Sequence, residues 1–333
     1  MKAAFIERTG PPEVIRYADL PDPVPGPGQC LVRVAAVDMN PIDTYWRSGM
    51  IPVKLEFPFI LGRSLAGTVL ACGAKVKDFQ PGDRVWATNL GFAGRRGSWS
   101  ELAAVDAEWL QPLPAGVSDE AAAAVALVGV TAHLGLFQHA RLRAGETVVV
   151  SGGAGGVGSC VVQMARAAGA RVIALAGSEA KVAACLELGA EAAINYRTAD
   201  VAAEVKALAP AGVNLWWETA RVPDFERTVA LLAPRGRMVL MAGRDARPPF
   251  PVGPFYVKDC ALLGFAMFNA CAEEIRTAAT DMNRWLAEGV LQARIDRVLP
   301  LSQAAEAHRL QEASTVGGTG EVSGKIVLTT RAM

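Results

Sequence analysis

"VVVSGGAGGVGSCVVQMARAAGARVIALAGSEAK" spans Val148–Lys181 and decides the fold. An apolar run is followed by a glycine cluster, a helix-like stretch and a second apolar run. Gly153, Gly155, Gly156, Val157 and Gly158 satisfy G-x-G-x-x-G. The string alone is common, but here it leaves a strand and opens a helix, the context a dinucleotide fingerprint requires. Glycines let the backbone turn tightly and come close to a pyrophosphate. The helix N-terminus then offers free N–H groups and the positive end of its dipole.

An acidic residue normally closes the second strand about 20 residues on, binding the ribose 2′-hydroxyl of NAD. Gly177 stands at that place, and the run there reads "AGSEAK". Ser178 and Lys181 offer a hydroxyl and a cation that suit a 2′-phosphate. Glu179 is read as the first turn of the next helix, pointing away from the ribose. The expected cofactor is therefore NADPH.

Outward from the fingerprint, strands and helices alternate. Strands are expected at Thr147–Val150, Arg171–Ala176, Ala192–Asn195, Val213–Glu218, Arg237–Ala242 and Ala261–Met267, with helices between them. This spacing implies a doubly wound parallel sheet. The first third differs: short alternating runs such as Cys30–Met39 lie between Pro/Gly turns such as "PDPVPGPGQ", which suits an irregular β-rich unit. The expected class is α/β, with two domains in 333 residues.

The 33 basic and 33 acidic residues cancel, and no basic aromatic patch points to nucleic acid. The N-terminus lacks the apolar core of a signal peptide, and Ala121–Val130 is too short to cross a bilayer as a helix. A soluble cytoplasmic enzyme with no membrane partner is expected. Six cysteines are scattered without a C-x-x-C pair and read as reduced and mostly buried. Three histidines, His133, His139 and His308, form no compact ligand set with them, so no metal is expected.

The segments "VRVAAVDMNPIDTYWRSG", "LGRSLAGTV", "PGDRV", "SGGAGGVG", "LGAEAAINY", "GRMVLMAG" and "GKIVL" occur in order along the chain. Together they resemble the medium-chain dehydrogenase/reductase superfamily, and within it the zinc-free, zeta-crystallin-like quinone oxidoreductases. The resemblance implies a GroES-like catalytic domain built from 1–123 and 269–333 and a Rossmann domain at 124–268, with the cofactor in the cleft between them. It also implies a homodimer formed through the Rossmann domain, with Asp259–Phe268 as the pairing edge.

Zinc-dependent members of the superfamily carry a Cys in the segment matching Asn40–Asp43 and a Gly-His-Glu where this chain has Gly62-Arg63-Ser64. The window from Asn40 to Ser64 holds neither Cys nor His. The resemblance further implies catalytic roles for Asn40, Tyr45 and Thr131, near the nicotinamide. It puts Arg47 and Ile51 at the substrate. It assigns Gly177, Ser178, Lys181 and Tyr196 to the 2′-phosphate, with Gly243, Phe268, Asn269 and Lys325 also at the cofactor. Many relatives have a tyrosine where Ile51 stands; in enoyl-thioester reductases it is linked to proton delivery, so its absence counts against that activity.

The function expected is NADPH-dependent reduction of a small-molecule quinone by hydride or electron transfer. Reduction of activated C=C bonds in 2-alkenals, enones or enoyl thioesters is the alternative, and a non-enzymatic NADPH-binding protein a third reading. For Tyr45, packing with its hydroxyl tied to backbone is weighed equally against an acid role.

Overall fold

The computed structural model describes residues 1–330. These residues form two compact units, one of residues 1–130 and 270–330 and one of 131–269. The division falls inside helix Asp119–His133, which Ser118 caps by accepting a hydrogen bond from Ala121 N at 3.1 Å. A π-helical stretch, Leu134–His139, continues that helix. The 21 residues are long and apolar enough to cross a membrane, which Ala121–Val130 alone is not, but 83% of the most apolar window is buried within the fold.

The second unit is a six-stranded parallel sheet. Its spatial order is Ala192–Asn195, Arg171–Ala176, Thr147–Ser151, Val213–Glu218, Leu232–Leu240, Ala261–Gly264. Counted along the unit this is 3-2-1-4-5-6, the doubly wound dinucleotide-binding order. Val149, Ile173, Leu175, Trp216 and Met238 form its core with Val201, Val205 and Phe225 from the covering helices. The last strand stops at Gly264, short of the expected Met267, and Met267–Asn269 is a 3-10 turn instead. Strand order reverses between Thr147–Ser151 and Val213–Glu218. Thr219 Oγ1 bridges this switch point by donating to Ser151 O at 2.7 Å.

The first unit is β-rich. Arg16–Asp19, Lys2–Ile6 and Phe59–Ile60 form a small antiparallel sheet. In the seven-stranded sheet, strand Gln29–Asp38 lies between Leu65–Cys72 and the terminal strand Lys325–Thr329. The register Val327↔Asp38 brings the two ends of the chain together. Directly after Asp38 comes helix Pro41–Ser48. Its limits follow from local chemistry: Asn40 at the N-cap, Pro41 at the first helical position and Gly49 in the left-handed region at φ 82°.

Candidate active site

The glycine loop of the second unit is shaped by close approach. A Cβ at Gly158 would lie 2.1 Å from Gly152 O, and one at Gly153 would lie 2.8 Å from Ala174 Cβ. Gly152 turns the chain at φ 71°. Gly153 N then donates to Leu175 O at 3.0 Å, tying the loop to the neighbouring strand. Helix Gly156–Ala167 begins at Gly155, and no side chain caps it. Its first-turn N–H groups therefore face the crevice at the switch point, as an anion site requires.

At the end of the second strand, Ala176 pairs with Asn195, which sets Tyr196 beside Gly177. A Cβ at Gly177 would stand 2.4 Å from the Tyr196 hydroxyl. The Tyr196 hydroxyl thus packs over the position where an acidic residue would stand. Ser178 caps the following helix, accepting from Lys181 N at 3.4 Å. Glu179 accepts a hydrogen bond from Asn195 Nδ2 at 2.5 Å. The structure therefore gathers Gly177, Ser178, Lys181 and Tyr196 at one strand end, with the Glu179 carboxylate engaged by Asn195. These residues fit a 2′-phosphate, and the glycine loop fits a pyrophosphate. Gly243, at φ 77°, would meet Arg221 O at 2.8 Å if it carried a Cβ, so it marks the close approach of two crevice loops. Thr131 is buried in its helix, and Phe268 and Asn269 lie on the 3-10 turn.

In the first unit, Asn40 and Lys325 meet across 285 residues. Lys325 Nζ donates to Asn40 Oδ1 at 2.5 Å and Met39 O at 2.6 Å, and pairs with Asp38 at 2.8 Å. Asn40 Nδ2 donates to Asp38 Oδ2 at 2.9 Å, and Asn40 N to Asp43 Oδ2 at 2.9 Å. An ammonium has three donors, and here all are used inside the unit. Lys325 is thus held against Asn40, Met39 and Asp38 in this structure.

Arg47 differs from its expected place at the substrate in the same way. It is 1% exposed; it donates to Gly10 O and to His308 Nδ1 and pairs with Glu312. Tyr45, on the same helix, is half-buried, and its hydroxyl has no hydrogen bond among the described residues. Ile51 follows the helix, its N–H donating to Tyr45 O at 3.3 Å. A cavity of about 890 Å³ in this unit is lined by Trp46, Phe59, Phe92 and Arg95, and by none of the expected site residues.

Arg63, where zinc-dependent relatives carry their histidine, is 1% exposed. Its Nε lies 3.2 Å from Asp43 Oδ1, and the guanidinium stacks over Trp46 at 4.0 Å. Among the described residues no group of three or more His, Cys, Asp or Glu could hold a metal ion. Burial pushes the Asp43 carboxyl up to about 6, against the pull of Arg63 and with a further push from Asp38. Sequence reasoning missed Asp38, Asp43 and Arg63. The signal was local for Asp43 alone, three residues beyond an Asn N-cap.

His308 titrates in the opposite sense. Burial, with Arg47 beside it, holds its imidazole down to about 3. Below the ordinary 6.5 the unfolded chain takes up a proton that the folded chain refuses. This group's contribution to stability is therefore lost as pH falls, at about 1.4 kcal/mol per pH unit. Asp43 is raised, so its folded form holds the extra proton between the ordinary 3.8 and about 6, and its contribution grows as pH falls through that window. The two slopes oppose each other. His308→Gln removes one of them. Relative to wild type, the variant is expected to gain about 2 kcal/mol between pH 7 and pH 5 in paired denaturant titrations. A flat difference would show that His308 takes up its proton in the folded protein.

Two family models match the chain: the alcohol dehydrogenase GroES-like domain over residues 26–115 and the zinc-binding dehydrogenase domain over residues 156–284. Mouse quinone oxidoreductase is 31% identical over 334 residues, covering 98% of this chain and 97% of its own. Among solved structures, an NAD-dependent alcohol dehydrogenase is 31% identical with a TM-score of 0.88, covering 99% of this chain and 100% of its own. Escherichia coli quinone oxidoreductase complexed with NADPH is 27% identical with a TM-score of 0.85, at 99% and 100% coverage. A 2-haloacrylate reductase is 28% identical with a TM-score of 0.83, covering both chains fully. With its GroES-like β-rich unit, its doubly wound parallel sheet and this near full-length match to quinone oxidoreductases, the chain belongs to the medium-chain dehydrogenase/reductase family of oxidoreductases.

Proposed function

We propose that this oxidoreductase uses NADPH to reduce quinones without a metal ion. The observation that carries the cofactor choice is the end of the second strand, where Gly177 stands in place of an acidic residue, Tyr196 packs against it, and Ser178 and Lys181 follow on the cap and first turn of the next helix. When bound, NADPH supplies a hydride. The chain's own part is orientation and charge. The uncapped helix at Gly155 and the glycine loop hold the pyrophosphate. The hydroxyl of Tyr45, not committed to backbone, donates to the oxygen that gains charge as the acceptor is reduced. Ile51 presents an apolar wall suited to a flat ring. Asn40 is held by Lys325 and Asp38 behind that surface. Arg63 and Asp43 pair where zinc relatives carry ligands, so the reaction uses an acceptor that needs no Lewis acid.

The likeness to a 2-haloacrylate reductase favours a second reading, reduction of an activated C=C bond. The test follows NADPH oxidation by absorbance with a naphthoquinone and a 2-alkenal in parallel, NADH as control, on wild type and Lys181→Ala. Quinone turnover with NADPH preference is expected. A charge-assisted contact to phosphate contributes about 1.5–3 kcal/mol, so the variant's KM for NADPH should rise roughly 10- to 100-fold while NADH is unaffected. Equal losses with both cofactors would remove Lys181 from the phosphate site. Faster alkenal turnover would establish the second reading.

We also propose a homodimer through the second unit. Its last strand, Ala261–Gly264, pairs on one side only among the described residues. Leu262, Tyr256 and Val257 are exposed close to it in sequence. An open edge with apolar neighbours is a pairing surface, and a doubled mass in light scattering is the expected result.

A further inference from the structure

Cys30 and Cys72 read in sequence as unrelated buried thiols. In the fold they are direct partners across the antiparallel pair Gln29–Asp38 and Leu65–Cys72. Gly73 N donates to Gln29 O at 2.8 Å, one residue beyond the pair on each strand. Cys30 and Cys72 are therefore a non-hydrogen-bonded pair, the position where cross-strand side chains come closest, with Cα atoms about 4.5 Å apart. Disulfides span about 4.4–6.8 Å between Cα atoms. The two Sγ atoms already lie 3.4 Å apart.

We propose that Cys30 and Cys72 form an oxidative modification site, a dithiol that hydrogen peroxide closes to a cross-strand disulfide.

The two sulfurs have distinct roles. Cys30 is fully buried, while Cys72 is partly exposed and donates to Phe79 O at 3.3 Å. Peroxide meets Cys72 first. The Cys72 sulfur attacks one peroxide oxygen, the O–O bond breaks, and the thiol proton leaves with the departing oxygen as water. Cys72 is now a sulfenic acid. The Cys30 sulfur then attacks the Cys72 sulfur, the S–O bond breaks, and the Cys30 proton leaves with the hydroxyl as a second water. Two thiols are oxidised, one peroxide is reduced and one S–S bond forms. Burial, together with the Cys72 contact, pushes the Cys30 thiol up to about 12, so Cys30 is not the thiol that peroxide oxidises first; its sulfur at 3.4 Å is what makes it the partner that closes the bridge.

The bridge would tie together residues 42 apart. It sits at the start of the strand whose other end carries Asp38 and Asn40, roughly 30 Å away at the rise of an extended chain. Closure should pin that sheet without disturbing the expected site, so it is a protective modification and leaves turnover intact.

The test treats reduced, full-length protein with hydrogen peroxide, blocks free thiols, and digests it with trypsin without reduction. The expected product joins peptides 17–33 and 64–75, whose only cysteines are Cys30 and Cys72. NADPH-dependent turnover of the oxidised protein should equal that of the reduced protein. In Cys30→Ser, Cys72 should stop at the sulfenic acid and be captured by dimedone. Oxidation of Cys72 to the sulfinic acid with Cys30 still a free thiol would overturn the proposal, as would both thiols remaining alkylatable. Loss of turnover on forming this one bridge would overturn the protective role. The wild-type peptide map is decisive even if the variant does not fold.

Discussion

Gly158→Ala is expected to weaken NADPH binding by about 100-fold, or roughly 2.7 kcal/mol. The added Cβ would stand 2.1 Å from Gly152 O and 2.8 Å from Gly152 C. Both atoms are backbone, so no rotamer change relieves the clash; the loop and the helix must separate. That separation moves the first-turn N–H groups off the position where they meet a pyrophosphate, and misplacement of this size is costly to a positioned ligand. Gly155→Ala is the informative partner. Its Cβ would meet only Gly152 O, at 3.2 Å, so the fold accommodates it with a small shift. If Gly155→Ala keeps its melting temperature and still loses cofactor, the space over Gly155 is reserved for ligand. Unchanged NADPH affinity in Gly158→Ala, measured by fluorescence titration, would remove the loop from the binding site.

The cofactor half of the molecule was legible because its chemistry is local. The fingerprint, the missing acid and the strand–helix alternation each occupy a few tens of residues and imply a doubly wound parallel sheet, whose order, 3-2-1-4-5-6, is set by the strand pairing. The absence of an acid at Gly177 was visible as a small residue, although the packing of Tyr196 against it required the register Ala176↔Asn195. The first unit was less legible because its sheet pairs distant segments. Nothing in the sequence near Lys325 says that its ammonium meets Asn40, and nothing near Cys30 points to Cys72. Those contacts are set by strand register, where a slip of one residue turns every side chain to the other face. Arg47 shows the same limit. It sits on an amphipathic helix beside Tyr45, yet its direction was decided by Gly10, His308 and Glu312, which come from both ends of the chain.

Lys325→Met is expected to destabilise the first unit by about 3–5 kcal/mol, the range found when one partner of a buried ion pair is removed. Asp38 is fully buried, and its Oδ1 has no hydrogen-bond donor among the described residues. Without the ammonium, the carboxylate keeps one side-chain donor, Asn40 Nδ2, and Asn40 loses the cation on its carbonyl. The melting temperature should fall by roughly 10 °C. Adding Asp38→Asn should recover much of that loss, because the double variant buries no unpaired charge. Kinetics then separate two roles for the lysine. If Lys325 positions Asn40, the folded variant should lose kcat while its KM for NADPH stays near wild type. If the ammonium instead reaches the cofactor, as the family resemblance implies, KM for NADPH should rise and the melting temperature should hold. All three of its donors are satisfied within 2.8 Å by Met39, Asn40 and Asp38, which favours the first result.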